Sequence, residues 1–171
     1  YIIGVTNTTT YNFVGITSPS DTHRASWDSG SSLPTTPVEG TEASDEDYGN
    51  ISYSDDQRWY VSSTDTYTWV IFRFILNETP SEISKLTVSI EGYGFGFTYL
   101  EPMCVQTLPG VAIWNFSSNS WSTIGNLNST EGVLEESFSE NIEYYVNQSG
   151  FLFLRVSIST DYAMCEEEGK I

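Results

Sequence analysis

Residues 85–91 read KLTVSIE, and this stretch decides the fold. The apolar residues Leu86, Val88 and Ile90 alternate with polar ones, which is the period of a β-strand with one buried face. A second stretch, residues 151–159, reads FLFLRVSIS and alternates in the same way. Two long strands of this type predict a β-sheet that packs one face against a second layer.

Other strand signals run along the rest of the chain. They fall at residues 58–61, 67–76, 93–100, 111–115, 121–124 and 133–138. Turn residues separate them, and the one helix predicted spans residues 140–146, with Ser139 as its N-cap. Many short strands with almost no helical periodicity predict an all-β fold, a jelly-roll-type antiparallel β-sandwich.

The sequence predicts three parts. Residues 1–17 hold two strand-like pieces, at 1–5 and 11–16, and residues 18–40 are rich in Ser, Thr and Pro, as in an extended linker. Residues 41–171 form the β-sandwich domain. Because a structureless run of this length is unusual inside a compact domain, we expect the N-terminal piece to be a detached strand arm.

Five segments of the predicted domain carry a family resemblance. They are DYGNISYSDDQRW (47–59), FRFILN (72–77), VSIEGYG (88–94), VAIWNF (111–116) with Trp121, and YVNQSG (145–150). This succession resembles the jelly-roll, carbohydrate-binding-module-like domains of secreted and surface proteins from archaea and uncultured microbes. The resemblance covers about residues 42–160 and implies a fold and an extracellular location. It implies no catalytic activity.

The charge balance excludes one class of partner. Six Lys and Arg residues stand against 23 Asp and Glu residues, which gives a formal net charge of -17. Such a chain repels nucleic acid and anionic membranes. No apolar run reaches the length of a membrane span, so we expect no membrane-spanning segment. The chain opens without a basic leader, and we expect that a leader has been removed.

Cysteines and glycosylation motifs point outside the cell. Cys104 and Cys165 are an even pair without metal-ligand spacing, which favours one disulfide, with two buried thiols as the alternative. Six Asn-X-Ser/Thr motifs predict N-glycans, and they begin at Asn7, Asn50, Asn77, Asn115, Asn128 and Asn147. Pro80 directly follows the Asn77 motif and disfavours its glycosylation.

The residues of an enzyme active site are missing from the sequence. The one histidine, His23, lies in the predicted linker, where we expect a solvated side chain and no catalytic base. We therefore predict no enzyme and no required cofactor. A candidate structural calcium site comprises Asp45, Asp47, Asp55 and Asp56, with a solvated acidic loop as the alternative.

Two functions remain open. The first is an extracellular structural protein, a head-to-tail homopolymer in which the arm inserts into a neighbouring subunit. The arm's expected contact residues are Tyr1, Ile2, Ile3, Val5, Tyr11, Phe13, Val14 and Ile16. The alternative is a carbohydrate-binding or adhesive module, in which the arm folds onto its own domain. The module's candidate sugar platforms are Trp59, Trp69, Trp114, Trp121, Tyr93, Tyr99, Tyr144 and Tyr145, and Trp27 is expected to dock on a surface.

Overall fold

The computed structural model describes residues 7–37, 40–52, 59–63, 65–100 and 103–160. One α-helix, α1 (Asp45–Ile51), and two 3₁₀ turns, Pro80–Glu82 and Ile142–Tyr144, accompany ten strands. The strands are β1 (His23–Gly30), β2 (Thr41–Glu42), β3 (Tyr67–Ile75), β4 (Leu86–Gly92), β5 (Gly96–Leu100), β6 (Met103–Thr107), β7 (Gly110–Asn115), β8 (Ser120–Asn126), β9 (Gly132–Phe138) and β10 (Phe151–Ser159).

Six strands form the main sheet in the order β2-β1-β3-β10-β7-β8. Two further pairs, β4–β9 and β5–β6, complete the strands, and the paired strands are antiparallel. The prediction of an all-β antiparallel sandwich is confirmed, whereas its jelly-roll connectivity stays a prediction. Among the residues described, no helix has the length and apolarity to cross a membrane.

The larger hydrophobic core lies between the main sheet and the β4–β9 pair. Leu154 of β10 stands opposite Ile113 of β7, and both side chains point to this inner face. Leu86 and Val88 of β4 close the core from the other side. The alternation of residues 85–91 therefore buries the face that the sequence predicts.

A smaller core covers the inner face at the β1 end of the sheet. It comprises Phe13, Ala25, Ala43 and Tyr48, all buried. α1 brings Tyr48 to this core, and it starts at a capping box: Ser44 Oγ accepts the Asp47 N–H, and Asp47 accepts the Ser44 N–H. The helix thus covers the part of the sheet that the β4–β9 pair does not reach.

The prediction that residues 18–40 form an extended linker is wrong for its central part. Residues 23–30 are β1, paired along their whole length with β3. The sequence HRASWDSG gives a weak strand signal because its buried positions hold small side chains, and Ala25 and Ser26 are 0% and 4% exposed. The strand is therefore held by pairing and packing more than by its own hydrophobicity.

Two other local predictions are corrected. The helix expected over 140–146 is only the 3₁₀ turn Ile142–Tyr144, because Asn141 adopts a left-handed conformation with φ 55° just before it. The strand expected over 11–16 is a folded segment that contains a turn, with Gly15 at φ 78°. Of the strand expected over 58–61, residues 59–61 are irregular, and Arg58 lies outside the described residues.

Candidate functional site

The described part of the N-terminal segment is fastened to the end of β3. Tyr11 Oη donates to Glu78 Oε2 at 2.8 Å and accepts the Asn77 N–H at 2.7 Å. Thr9 Oγ1 donates to the other oxygen of Glu78 at 2.8 Å. These hydrogen bonds lower the pKa of the Glu78 carboxyl, while burial raises the pKa of Tyr11.

Phe13 forms the second attachment of this segment. Its ring lies 5.3 Å from Phe74, 5.5 Å from His23 and 5.6 Å from Phe72, centroid to centroid, in edge-on geometry. The segment then turns, and the Gly15 N–H donates to Ser52 O. Residues 11–16 therefore pack on the body of the same chain, not at a distance from it.

The predicted subunit-contact residues differ in what they contact in the structure. Tyr11 and Phe13 are used within the chain, whereas Val14 is 63% exposed and Ile16 is half-buried beside the smaller core. Outside the described residues lie Tyr1, Ile2, Ile3 and Val5. The expectation of a detached arm is therefore wrong for Tyr11 and Phe13, which their own domain holds.

The two edges of the main sheet differ. At the β1 edge, the Ala25 N–H donates to Tyr48 Oη at 2.7 Å, and Ala25 O accepts the Ala43 N–H. The short strand β2 pairs beside them. At the other edge, β8 pairs with β7 on one side, and within the described ranges no strand pairs with its outer side. The chain itself thus covers the β1 edge, whereas the strands that the structure describes pair with β8 on one side alone.

The outer face of the sheet carries a buried arginine on β10, which β7 separates from β8. Arg155 is 8% exposed, and its guanidinium carbon lies 4.8 Å from the ring centroid of Trp121. Its Nη1 donates to Pro34 O at 3.1 Å, and Trp121 packs edge-on against Trp114 at 5.3 Å. Burial lowers the pKa of Arg155. The Nε of Arg155 and the Nε1 of Trp121 are buried donors without a hydrogen-bond acceptor among the described atoms.

A shallow aromatic pocket lies beside α1. Trp27, Trp59 and Tyr60 line it together with Asp47, and its volume is about 220 Å³. Tyr60 is 83% exposed, so its ring is free to meet a ligand. Flat apolar rings beside a carboxylate can stack on one face of a sugar and accept bonds from its hydroxyls. Trp27 docks in this pocket, whereas Trp114, another candidate platform, is buried.

His23 is a core residue, contrary to the expectation of a solvated side chain. It is 9% exposed and packs edge-on against Phe13 and Phe74. Its Nδ1 shares a 2.9 Å hydrogen bond with Thr22 Oγ1, and burial lowers its pKa. The alternation along β1 could have predicted this burial. His23, Ala25 and Trp27 lie at alternate positions and therefore on the same, inner face of the strand.

Only part of the candidate calcium site is described. Asp45 and Asp47 lie in the first turn of α1, where Asp47 Oδ2 accepts from both N and Oγ of Ser44. Asp55 and Asp56 lie outside the described residues. Within the described ranges no group of three or more His, Cys, Asp or Glu side chains could hold a metal ion. The helix cap accounts for Asp47, and calcium stays a prediction.

The predicted modification residues fall into two environments. Asn7, Asn77 and Asn128 are exposed, whereas Asn50, Asn115 and Asn147 are partly buried. Asn115 Oδ1 accepts the N–H groups of Ser117 and Ser118, and Asn147 Oδ1 accepts those of Ser149 and Phe151. Cys104 is not a free thiol, but Cys165 lies outside the described residues, so the bridge between them stays a prediction.

The fold and these surfaces define an all-β antiparallel domain whose main sheet is covered at its β1 edge. One family's sequence model matches residues 25–167, and its description is "Uncharacterized protein, C-terminal domain" (AF_1625_C). Since the match covers most of the chain, the protein belongs to this family. It starts within β1, so the family's domain includes the strand that the linker prediction set apart. Comparison with curated proteins and with solved structures gives no match.

Proposed function

We propose that this protein is an extracellular structural protein, a subunit of a glycosylated surface filament or layer. Residues 1–6 of one subunit insert as a strand into the next. The observation that carries this function is the apolar, uncharged sequence YIIGVT of residues 1–6. Tyr11 and Phe13 are held by their own domain and take no part in the insertion.

The inserting segment is short but sufficient. Six extended residues span about 20 Å, the length of an ordinary strand. Tyr1, Ile2, Ile3 and Val5 are apolar or aromatic, as favoured in a strand that packs on a partner. Because donor and acceptor are different surfaces, such contacts join head to tail and generate a filament unless they close into a ring.

Other features fit an external polymer. Three exposed Asn-X-Ser/Thr sites, at Asn7, Asn77 and Asn128, could carry glycans in solvent, and a Cys104–Cys165 bridge would tie the chain's end to its middle. The resemblance to jelly-roll domains of secreted proteins supports the same location. The function needs neither a catalytic group nor a cofactor, and a structural calcium ion would only stabilise the subunit.

Removing residues 1–6 tests this function. We expect the full chain to form large particles by light scattering, at a concentration at which the truncated chain stays monomeric. The truncated chain should keep the thermal unfolding midpoint of the full chain, because Tyr11 and Phe13 remain in place. A control chain with Ile2, Ile3 and Val5 replaced by Ser has the same length and should also stay monomeric. Assembly that survives both changes would exclude insertion of this segment.

The aromatic pocket favours a second candidate, a carbohydrate-binding or adhesive module. Trp27, Trp59 and Tyr60 would stack on a sugar ring while Asp47 accepts from its hydroxyls. A glycan array with the monomeric truncated chain would identify the ligand. Tyr60→Ala should weaken that binding at least tenfold, whereas Phe95→Ala, at an exposed ring outside the pocket, should leave it unchanged. A blank array would remove this candidate.

A further inference from the structure

His23 is buried under the N-terminal segment. The ring centroids of Tyr11, Phe13 and Phe74 lie 6.4, 5.5 and 5.4 Å from that of its imidazole. Its Nδ1 shares a hydrogen bond with Thr22 Oγ1, and its Nε2 is buried without a hydrogen-bond partner among the described atoms. Because an imidazolium donates from both nitrogens, this site favours the neutral ring. Burial accordingly lowers the pKa of His23.

The rings around His23 are attached to the domain in two different ways. Phe74 belongs to β3, which pairs with β1 on one side and with β10 on the other. Tyr11 and Phe13 belong to the N-terminal segment, which is held by its side chains and by the main-chain hydrogen bond of Gly15. Water therefore reaches the imidazole at the lowest cost when this segment detaches and the sheet stays paired.

We propose that residues 11–16 form a lid over His23, and that the lid opens when this histidine takes up a proton while the sheet stays folded. Opening removes two of the three rings and lets water hydrate the charged imidazolium. It also uncovers the Phe72 and Phe74 rings of β3, on which Phe13 packs. The lid consists of residues that the domain itself holds, so this inference does not depend on the filament function proposed above.

Other titratable or charged groups lie on the elements around His23. Arg24 follows His23 on β1 and pairs with Arg73 of β3, so both arginines point to the other face of the sheet. Carboxyl, phenol and guanidinium groups ordinarily titrate outside the range of about pH 5 to 7, whereas an imidazole titrates within it. The histidine is therefore the group whose charge changes there. The remaining groups are Tyr11 of the lid, Asp21 before β1, Glu42 of β2, Tyr48 of α1 and Glu78 after β3.

Amide hydrogen exchange of the full chain tests the lid. The readout is the protection of the Gly15 amide, which donates to Ser52 O in the closed lid, relative to an unstructured peptide at the same pH. We expect this protection to fall at least about fivefold from pH 7 to pH 5, because the open state accepts a proton that the closed state excludes. The amide of Leu154, in the central strand β10, should stay at least about a hundredfold more protected than that of Gly15 at both pH values.

Two variants assign the proton to His23. His23→Phe keeps a ring in place and should make the protection of Gly15 independent of pH over this range. Glu78→Gln keeps an oxygen that can accept from Tyr11 but cannot titrate, so it should leave the pH dependence in place.

Three results would overturn the proposal. Constant protection of Gly15 from pH 7 to pH 5 in the original chain would mean that the lid does not open. Equal exchange of Gly15 and Leu154 would mean that both amides are exposed by unfolding of the whole domain. A pH dependence that Glu78→Gln abolishes and His23→Phe keeps would mean that the carboxylate is the sensor.

Discussion

The hydroxyl of Tyr11 donates a 2.8 Å hydrogen bond to Glu78, and these two residues lie 67 positions apart in the sequence. The same hydroxyl accepts the Asn77 N–H, so a single side chain fastens the N-terminal segment to the end of β3. This contact divides the N-terminal region into a part that belongs to the domain and a shorter part that precedes it. The proposed filament function depends on that division.

Tyr11→Phe should loosen this attachment without removing the ring. Loss of the acceptor for the Asn77 N–H should lower the free energy of unfolding by about 1 kcal/mol. The lost bond to the partly exposed Glu78 adds less, because water can replace the hydroxyl. Chemical denaturation measures the difference, and Tyr144→Phe, at an exposed tyrosine, is the matched control. Equal stability of the two variants would show that the Tyr11 hydroxyl does not hold the segment.

His23 should make the stability depend on pH. Burial lowers its pKa in the folded protein, so the unfolded chain takes up a proton near pH 6.5 and the folded chain only at lower pH. The free energy of unfolding should therefore fall as the pH is lowered below about 6.5. His23 is the one histidine of the chain, and His23→Phe keeps a ring beside Phe13 and Phe74.

Denaturation curves between pH 5 and 7 measure this effect. In that window the difference in stability between His23→Phe and the original chain should grow in favour of the variant as the pH falls. A constant difference across the window would mean that His23 is as accessible to protons in the folded protein as in the unfolded one.

Two glycines with the same backbone conformation should respond differently to substitution. Gly15 and Gly150 have φ of 78° and 77°, so alanine strains both by about 1 kcal/mol. A Cβ at Gly15 would meet no atom within 4 Å, whereas at Gly150 it would lie 2.2 Å from Leu76 O. Gly150→Ala should therefore lower the free energy of unfolding by at least about 3 kcal/mol, and Gly15→Ala by about 1 kcal/mol.

Thermal or chemical unfolding of both variants checks this prediction. Gly150 O also accepts the Leu76 N–H, so movement of the loop to relieve the clash would break a bond at the end of β3. Similar losses for the two variants would mean that the loop before β10 moves without cost.

The fraction of each predicted site that carries a glycan should increase with the exposure of its asparagine side chain. Asn7 and Asn128 are exposed, while Asn115 and Asn147 are partly buried and hold local turns through their Oδ1 atoms. Mass spectrometry of peptides from protein made in its source or in a glycosylating host should find higher occupancy at Asn7 and Asn128. Full occupancy at Asn115 and Asn147 with bare Asn7 and Asn128 would contradict this ranking.

Alternating apolar residues made the central strands predictable. Residues 85–91 and 151–159 form β4 and β10, because each buries one face against a packed layer. β1 was not predictable from its own residues, since HRASWDSG has small and polar side chains at buried positions. Its place between β2 and β3 is set by pairing partners distant in sequence.

The candidate sites were harder to predict for the same reason. The acidic residues at 45–47 suggested metal ligands, but Asp47 caps α1 in a box with Ser44, where Glu or Gln is the usual partner. The contact between Arg155 and Trp121 joins β10 to β8 across β7. Such a pair depends on the strand order, which no local pattern encodes.

Electron microscopy of the full chain is the most direct test of the central claim. The sample should be imaged at a concentration at which a weakly self-associating protein would stay monomeric, beside the chain that lacks residues 1–6. We predict ordered fibres in the first sample and small single particles in the second. Single particles in both samples would contradict the filament function, and the aromatic pocket of Trp27, Trp59 and Tyr60 would then carry the leading functional hypothesis.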